Sequence, residues 1–341
     1  MQYLADHHQI LILRSRKDSI YKVKTVWIVI GKAMSQVLKV ETHCHNVFSN
    51  HNNYLSRIPF DCGVTIQEQL ENAYLQKIDV MFVTNHNTMD GYSQILEYKQ
   101  NHAKYKDIEI YPAEEITINN KGHVLAYGIQ DEIRPGMTLD ETLDEIRKQN
   151  AISCAAHPFA VSNGIREHAK KCDLIESFNS NNVDIFSNLF AERFTKQNKL
   201  ISIVGSDSHV KSTIGRSINT VESEKNVDAI LDSLKGGKFK VGKLDYATRK
   251  EMHEHAHYII SSSRQTILNS INETNPKFHS IVKWAIDSFI SNPNSRLWHL
   301  MSSIGMYLSK RVSKKVNING HNPLILEQRS WSDLISLSLI P

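Results

Sequence analysis

Two histidines one residue apart, His43 and His45, close an apolar run in the stretch VETHCHNVFSN, residues 40–50. Residues i and i+2 of a strand share a face, so both imidazoles would point the same way. That spacing suits the first two ligands of a metal ion, and it suits two surface histidines equally. Seventeen histidines in 341 residues make close pairs common by chance, so the residues downstream must decide. His86, Glu115 and His157 each end or follow a further β-rich run, as does Asp207 with His209. Glu176 lies inside another such run, and His123 opens one. Histidines scattered at random would not track strand ends in this way. Imidazole and carboxylate ligands together suit Zn, Mn or Fe, whereas an all-oxygen set would suit Mg or Ca. Eight groups are too many for one tetrahedral ion. They imply two or three divalent ions bridged by a carboxylate, a cluster that activates water as a nucleophile.

The elements that must position these residues alternate. Strands are predicted at 37–43, 79–85, 108–115, 123–129, 151–157, 173–179 and 201–207. Between them lie helical patterns, two of which open on capping boxes, Thr65 with Glu68 and Thr138 with Glu141. Such alternation predicts an α/β fold with a parallel sheet, either a barrel or doubly wound, whose functional residues gather at the C-terminal strand ends. The irregular segment 46–64 is long for a βα connection and reads as a lid or substrate loop. Beyond 245 the pattern turns helical, near 247–271, 278–291 and 296–312. The expected organisation is therefore an N-terminal extension of unclear structure (1–37), a catalytic domain (38–244) and a separate helical C-terminal region (245–341). Met34 is read as an alternative start, because the recognisable unit begins just after it.

The order of short motifs, H-x-H (43–45), TNHNT (84–88), PAEEIT (112–117), GHVLAYG (122–128), AHP (156–158), IESFN (175–179) and GSDSH (205–209), resembles the PHP (polymerase and histidinol phosphatase) superfamily of metal-dependent phosphoesterases. The resemblance covers roughly residues 38–244. It implies a distorted (β/α)7 TIM-like barrel, here with a C-terminal helical appendage, and a metal cluster at its mouth. Carried over by position, it makes His43, His45, Glu115 and Asp207 ligands of one ion. Glu115 would bridge to a second ion held by His123 and His157, and His86 with His209 would hold a third. Within this set His209, Asp207 and Glu115 are given the catalytic role, and Glu176 orients ligands or water. Glu41, Asn179 and Ser180 are placed around the site.

The sequence also departs from the family pattern. Glu41 replaces an Asp in the first motif, and Asn50, Asn85 and Asn87 stand where the family has acids. An amide oxygen holds a divalent ion weakly, so two ions are expected to be firmly bound. The third is expected to be weak or absent unless His51 or a substrate phosphate completes it. Arg57, Lys211 and Arg216 are expected phosphate contacts, since guanidinium forks and ammonium groups suit phosphate oxygens. The tract HEHAH (253–257) is read as a solvated helix face.

Composition bounds the rest. With 40% hydrophobic and 22% charged residues the chain is an ordinary globular protein, which excludes disordered and collagen-like classes. The apolar run VWIVI (26–30) is too short to span a bilayer and lacks a cleavage site, so neither signal peptide nor membrane anchor is expected, and the protein is read as cytoplasmic. Cys44, Cys62, Cys154 and Cys172 lack CxxC spacing and fit a reduced compartment, with Cys44 as an apolar filler. Residues 245–341 carry 11 Lys and Arg against 7 Asp and Glu, a mild basic excess that could attract nucleic acid. The leading expectation is hydrolysis of a phosphomonoester, a nucleotide or a short oligonucleotide by a metal-activated water. An exonuclease, an amidohydrolase-type metal hydrolase and a catalytically weakened nucleic-acid-binding module are the alternatives. Substrate, metal identity and oligomeric state are not legible in the sequence.

Overall fold

The computed structural model describes residues 35–52 and 58–320. The readings of 1–34, of Arg57 and of the chain beyond 320 lie outside the described residues. Among the described residues nine strands form one sheet: β1 (Gln36–Cys44), β2 (Val80–Val83), β3 (Glu109–Thr117), β4 (His123–Tyr127), β5 (Ile152–Ala155), β6 (Leu174–Asn179), β7 (Ser202–Gly205), β8 (Ile218–Ser223) and β9 (Phe239–Lys243). The order is β7-β6-β5-β4-β3-β2-β1-β8-β9. The sheet curls until β7 meets β1. Thr42 Oγ1 donates to the Val204 carbonyl at 2.8 Å, Asp207 N donates to the His43 carbonyl at 2.7 Å, and Cys44 bridges to Ser208. The result is a nearly closed barrel.

All seven strands expected from the sequence are present, but the sheet is not wholly parallel. β4 runs antiparallel to both β3 and β5. The reason is the length of the β3–β4 link, residues 118–122, with Lys121 at φ 65°. A turn this short can only make a hairpin, because a parallel crossover needs a dozen residues or more. β8 and β9 were not foreseen; β8 pairs antiparallel with β1, and β9 is an exposed, lysine-bearing edge.

Leu38, Val40, Phe82, Leu125, Tyr127 and Ile203 fill the barrel below the mouth, closed from beneath by Ile230 and Leu234 of α5 (Val227–Lys235). Outside, α1 (Ile66–Gln76) and α2 (Tyr92–Gln100) cover one side of the sheet. α3 (Leu139–Lys148) and α4 (Phe186–Asn198) cover another. Both expected capping boxes form, at Thr65–Glu68 and Thr138–Glu141. All four cysteines are free and buried, with Cys44 in the apolar layer under α1.

The C-terminal helices are α6 (Arg249–Ser262), α7 (Arg264–Thr274), α8 (His279–Ser291) and α9 (Arg296–Asn317). They do not stand apart. Asn317 Nδ2 donates to the Phe159 carbonyl at 3.1 Å, and Val312 and Val316 pack on Val161. No helix among the described residues is long and apolar enough to cross a membrane.

Candidate metal centre

A β-bulge sets the first two ligands. Leu38 and Val40 face the core, and the register of β1 against β2 then shifts between Glu41 and Cys44. The extra residue reverses the alternation, so Cys44 turns outward while His43 and His45 turn into the mouth. The next ligands come from the ends of β3 and β7. Glu115 Oε2 lies 3.3 Å from both His43 Nε2 and His45 Nε2. Asp207 Oδ1 lies 3.4 Å and 3.2 Å from the same two nitrogens. Two ligands bound at about 2.0–2.1 Å in a tetrahedral arrangement would be roughly 3.3 Å apart. His43 Nε2, His45 Nε2 and Glu115 Oε2 are buried and lack any hydrogen-bond partner, an expensive state that a divalent ion would relieve. The residues fit the metal that the sequence implies.

Two further groups adjoin this one. Glu115 Oε1 lies 2.8 Å from His123 Nδ1 and 2.9 Å from His157 Nε2, and Oε2 lies 3.1 Å from His86 Nδ1. Glu115 therefore stands between two sets of imidazoles. On the other side His86 Nε2 and His209 Nε2 face Asp61 Oδ2, at 3.5 Å and 2.8 Å, and among the described residues that oxygen has no other partner. All eight residues expected as ligands thus line one mouth, and Asp61 joins them there.

Asp61 was missed. The only signal was its type, since it is the single acid in the irregular segment 46–64. It supplies a carboxylate beside His86 and His209, where the sequence left that third group short of one. Asn50, where the acid was expected, is turned away from the mouth. Its oxygen accepts from Asp61 N at 2.7 Å and Cys62 N at 3.1 Å, and its nitrogen donates to the Cys62 carbonyl and the Tyr258 hydroxyl. His51 is exposed and pairs with Asp90 instead. Asn85 and Asn87 likewise use both ends of their amides, Asn85 on Asn46 and Ser49 and Asn87 on Asn52 and Thr117.

A second layer holds the imidazoles. Glu176 Oε1 lies 2.8 Å from His43 Nδ1, and its Oε2 accepts from His157 N and Asn179 Nδ2. Asn179 Nδ2 also reaches Asp207 Oδ2 at 3.1 Å. A carboxylate on the far nitrogen fixes both tautomer and ring angle of a ligating histidine. Ser180 bonds Ser217 behind the mouth. Glu41 lies behind it too, accepting from Ser206 and from the Gly215 and His43 backbone N–H groups; burial pushes its carboxyl up to about 7. Neither expected cation reaches the cavity: Lys211 pairs with Glu68, and Arg216 with Glu251 and Asp245. Lys121 on the β3–β4 turn does line it.

The HEHAH tract of α6 is not a solvated face. His253 is buried between Ser302 and the Pro293 carbonyl. His255 donates from Nε2 to the Asp61 carbonyl at 2.7 Å, and its ring sits 4.7 Å from that of His209. Polar residues that seal helices against one another carry no apolar period, so the packing was invisible in the sequence.

The electrostatics follow from this crowding. Burial opposes charge on Asp207 and Glu115, but the surrounding imidazoles hold both carboxyls well below their usual range. Burial lowers His86 to about 3, against the pull of Glu115. For His209 burial is outweighed by Asp61 and Asp207, which lift it to about 9. His157 and Asp207 adopt φ of 27° and 48°, a strained region for non-glycine residues that recurs at functional sites. The mouth cavity has a volume near 380 Å³.

A family profile described as PHP-associated matches residues 186–239. Over 188 residues the chain is 26% identical to the uncharacterized protein MJ0417 of Methanocaldococcus jannaschii, covering 52% of this chain and 68% of that one. Among solved structures it is similar to PsfC from Pseudomonas syringae (TM-score 0.46, 16% identity, 66% of this chain and 98% of that one). It is also similar to the lesion-specific endonuclease PfuEndoQ from Pyrococcus furiosus (TM-score 0.43, 17% identity), covering 60% of this chain and 58% of that one.

Proposed function

We propose that this chain is a PHP-type metal-dependent phosphoric ester hydrolase acting on a small or terminal phosphoester. The observation that carries the reading is the convergence of His43 Nε2, His45 Nε2, Glu115 Oε2 and Asp207 Oδ1 at tetrahedral edge lengths, with Glu115 shared between neighbouring histidine groups. Divalent ions bound there neutralise charge on phosphoryl oxygens and lower the pKa of water. The chain's own residues do the rest. Glu115, Asp207 and Asp61 supply the anionic ligands, and Glu176, Ser49 and Asn179 orient the groups that face the ions. Lys121 brings a positive charge to the rim, suited to an anionic substrate. The roof of α6 and the loop bearing Asp61 limits access by water.

The test is direct. Purified chain loaded with manganese or zinc should carry at least two ions by elemental analysis and release phosphate from p-nitrophenyl phosphate or from nucleoside monophosphates. His45→Ala and Asp207→Ala should each lose both the ions and the activity. Retained turnover in either variant, or cleavage of carboxylic amides with no phosphate released, would replace this reading.

A further inference from the structure

A second cavity, near 510 Å³, opens beside the mouth and shares His157, Ser162, Asn163, Asn181 and Asp207 with it. Its far wall is apolar: Val161 and Val183 from the loops after β5 and β6, Met252 from α6, and Leu308 and Val312 from α9. Among the described residues that line it, none is Lys or Arg. Asp184, the acid of that wall, is engaged by Ser187 and Ser313. The wall is also fixed before any ligand arrives. Asn317 Nδ2 donates to the Phe159 carbonyl at 3.1 Å, and Arg166 Nη1 donates to Asn317 Oδ1 at 3.2 Å, which pins the C-terminal turns of α9 to the barrel. Gly305 stands in the middle of α9 on this cavity, and a Cβ built there meets no atom within 4 Å. Gly305 is exposed, so it marks the open rim of the cavity, where a larger side chain would project into the space.

We infer that this chamber seats the esterified organic group of the substrate, and that the group is uncharged and largely apolar, of aryl or branched-alkyl size. The inference rests on the phosphoesterase reading, which puts the phosphoryl group at the metal centre next door. A chamber of this volume is ample for such a group, and its apolar lining with a few amide donors is what small-molecule sites use. A polyanionic chain or a sugar phosphate would meet no cation in it and would leave Val161, Leu308 and Val312 against water-seeking groups.

The experiment compares kcat/KM for 1-naphthyl phosphate and glycerol 2-phosphate in the metal-loaded full chain and in Gly305→Trp, with circular dichroism as the check on folding. Wild type should favour the naphthyl ester at least tenfold, and Gly305→Trp should reduce that ratio at least tenfold by raising KM for the naphthyl ester. Equal kcat/KM for the two esters, or a ratio unmoved by Gly305→Trp, overturns the inference while leaving the phosphoesterase reading intact. If no ester releases phosphate, the phosphoesterase reading fails, and calorimetry still judges the chamber. Tighter binding of naphthylmethylphosphonate than of methylphosphonate, lost in Gly305→Trp, supports it; equal or absent binding overturns it.

Discussion

Asn50 accepts two backbone N–H groups with its oxygen and donates to a carbonyl and a hydroxyl with its nitrogen. A carboxylate has no donor to give. Asn50→Asp is therefore expected to destabilise the loop by about 1–3 kcal/mol without adding a bound ion, read by thermal unfolding and elemental analysis. Asp61→Asn should instead lower the number of bound ions by one, read by the same elemental analysis. If Asn50→Asp gained an ion, Asn50 rather than Asp61 would be the position that governs the third group. Residue types at strand ends made seven of the eight candidate ligands legible, because the barrel forces strand ends together, and the resemblance added His123. Asp61 was not legible, because an irregular loop has no period from which the direction of a side chain follows. The close packing behind the ligands was equally hidden. A Cβ on Gly205 would lie 2.0 Å from Glu176 Oε1 and 2.7 Å from His43 Cβ, so Gly205→Ala should disturb His43 and weaken metal binding at least tenfold.

Neighbouring acids on β3 show what an element does with one sequence. Glu115 faces the imidazoles of the mouth and is held ionised, whereas Glu114 faces the helix side, where its Oε2 accepts from Ile133 N and its Oε1 has no partner. Burial, with only a small opposing effect from that N–H, pushes Glu114 up to about 8. A carboxyl whose folded pKa is raised binds more protons in the fold than in the unfolded chain. Its stabilising effect is complete below about pH 4.5 and is lost as pH rises through about 8. Glu114→Gln should therefore raise stability by about 3–5 kcal/mol at pH 9 and change it little at pH 4, measured by denaturant unfolding of ion-free protein. The choice of Glu115 over its neighbour came from the resemblance carried by the PAEEIT motif, since alternation says only that the two acids face opposite sides. The bulge in β1 and the antiparallel β4 were not, because each depends on a partner strand. α6 adds the last element-scale test. His255→Ala should weaken the ion group at Asp61, His86 and His209 at least tenfold while His255→Gln, which keeps a donor for the Asp61 carbonyl, recovers part of it. Equal metal titrations in all three proteins would show that His255 only packs.

The sequence drew a boundary at 244, where strand–helix alternation gives way to helices, and the molecule runs those helices back over the mouth. Three kinds of contact cross the boundary. Tyr258 and His255 hold the loop that bears Asp61. Glu251 ties down Arg216 and Ser212, a few residues past His209. Ser313 and Asn317 bond Asp184, Phe159 and Ser187, closing α9 on α4. Period and composition change at 244 because helices replace strands, but neither reports where a helix docks. These contacts are mostly polar and bridge distant parts of the chain, so they left no pattern to read. A chain ending at 244 is accordingly expected to keep the β1–β8 barrel core, built from Leu38, Phe82, Tyr127 and Ile230, and to lose the roof of the site. Measured against the full chain, it should bind the ion at His43, His45, Glu115 and Asp207 but not the one at Asp61, and expose apolar surface that binds a hydrophobic dye. Full metal content in the shortened chain would mean that the barrel alone positions Asp61 and that α6 to α9 serve only the chamber beside it.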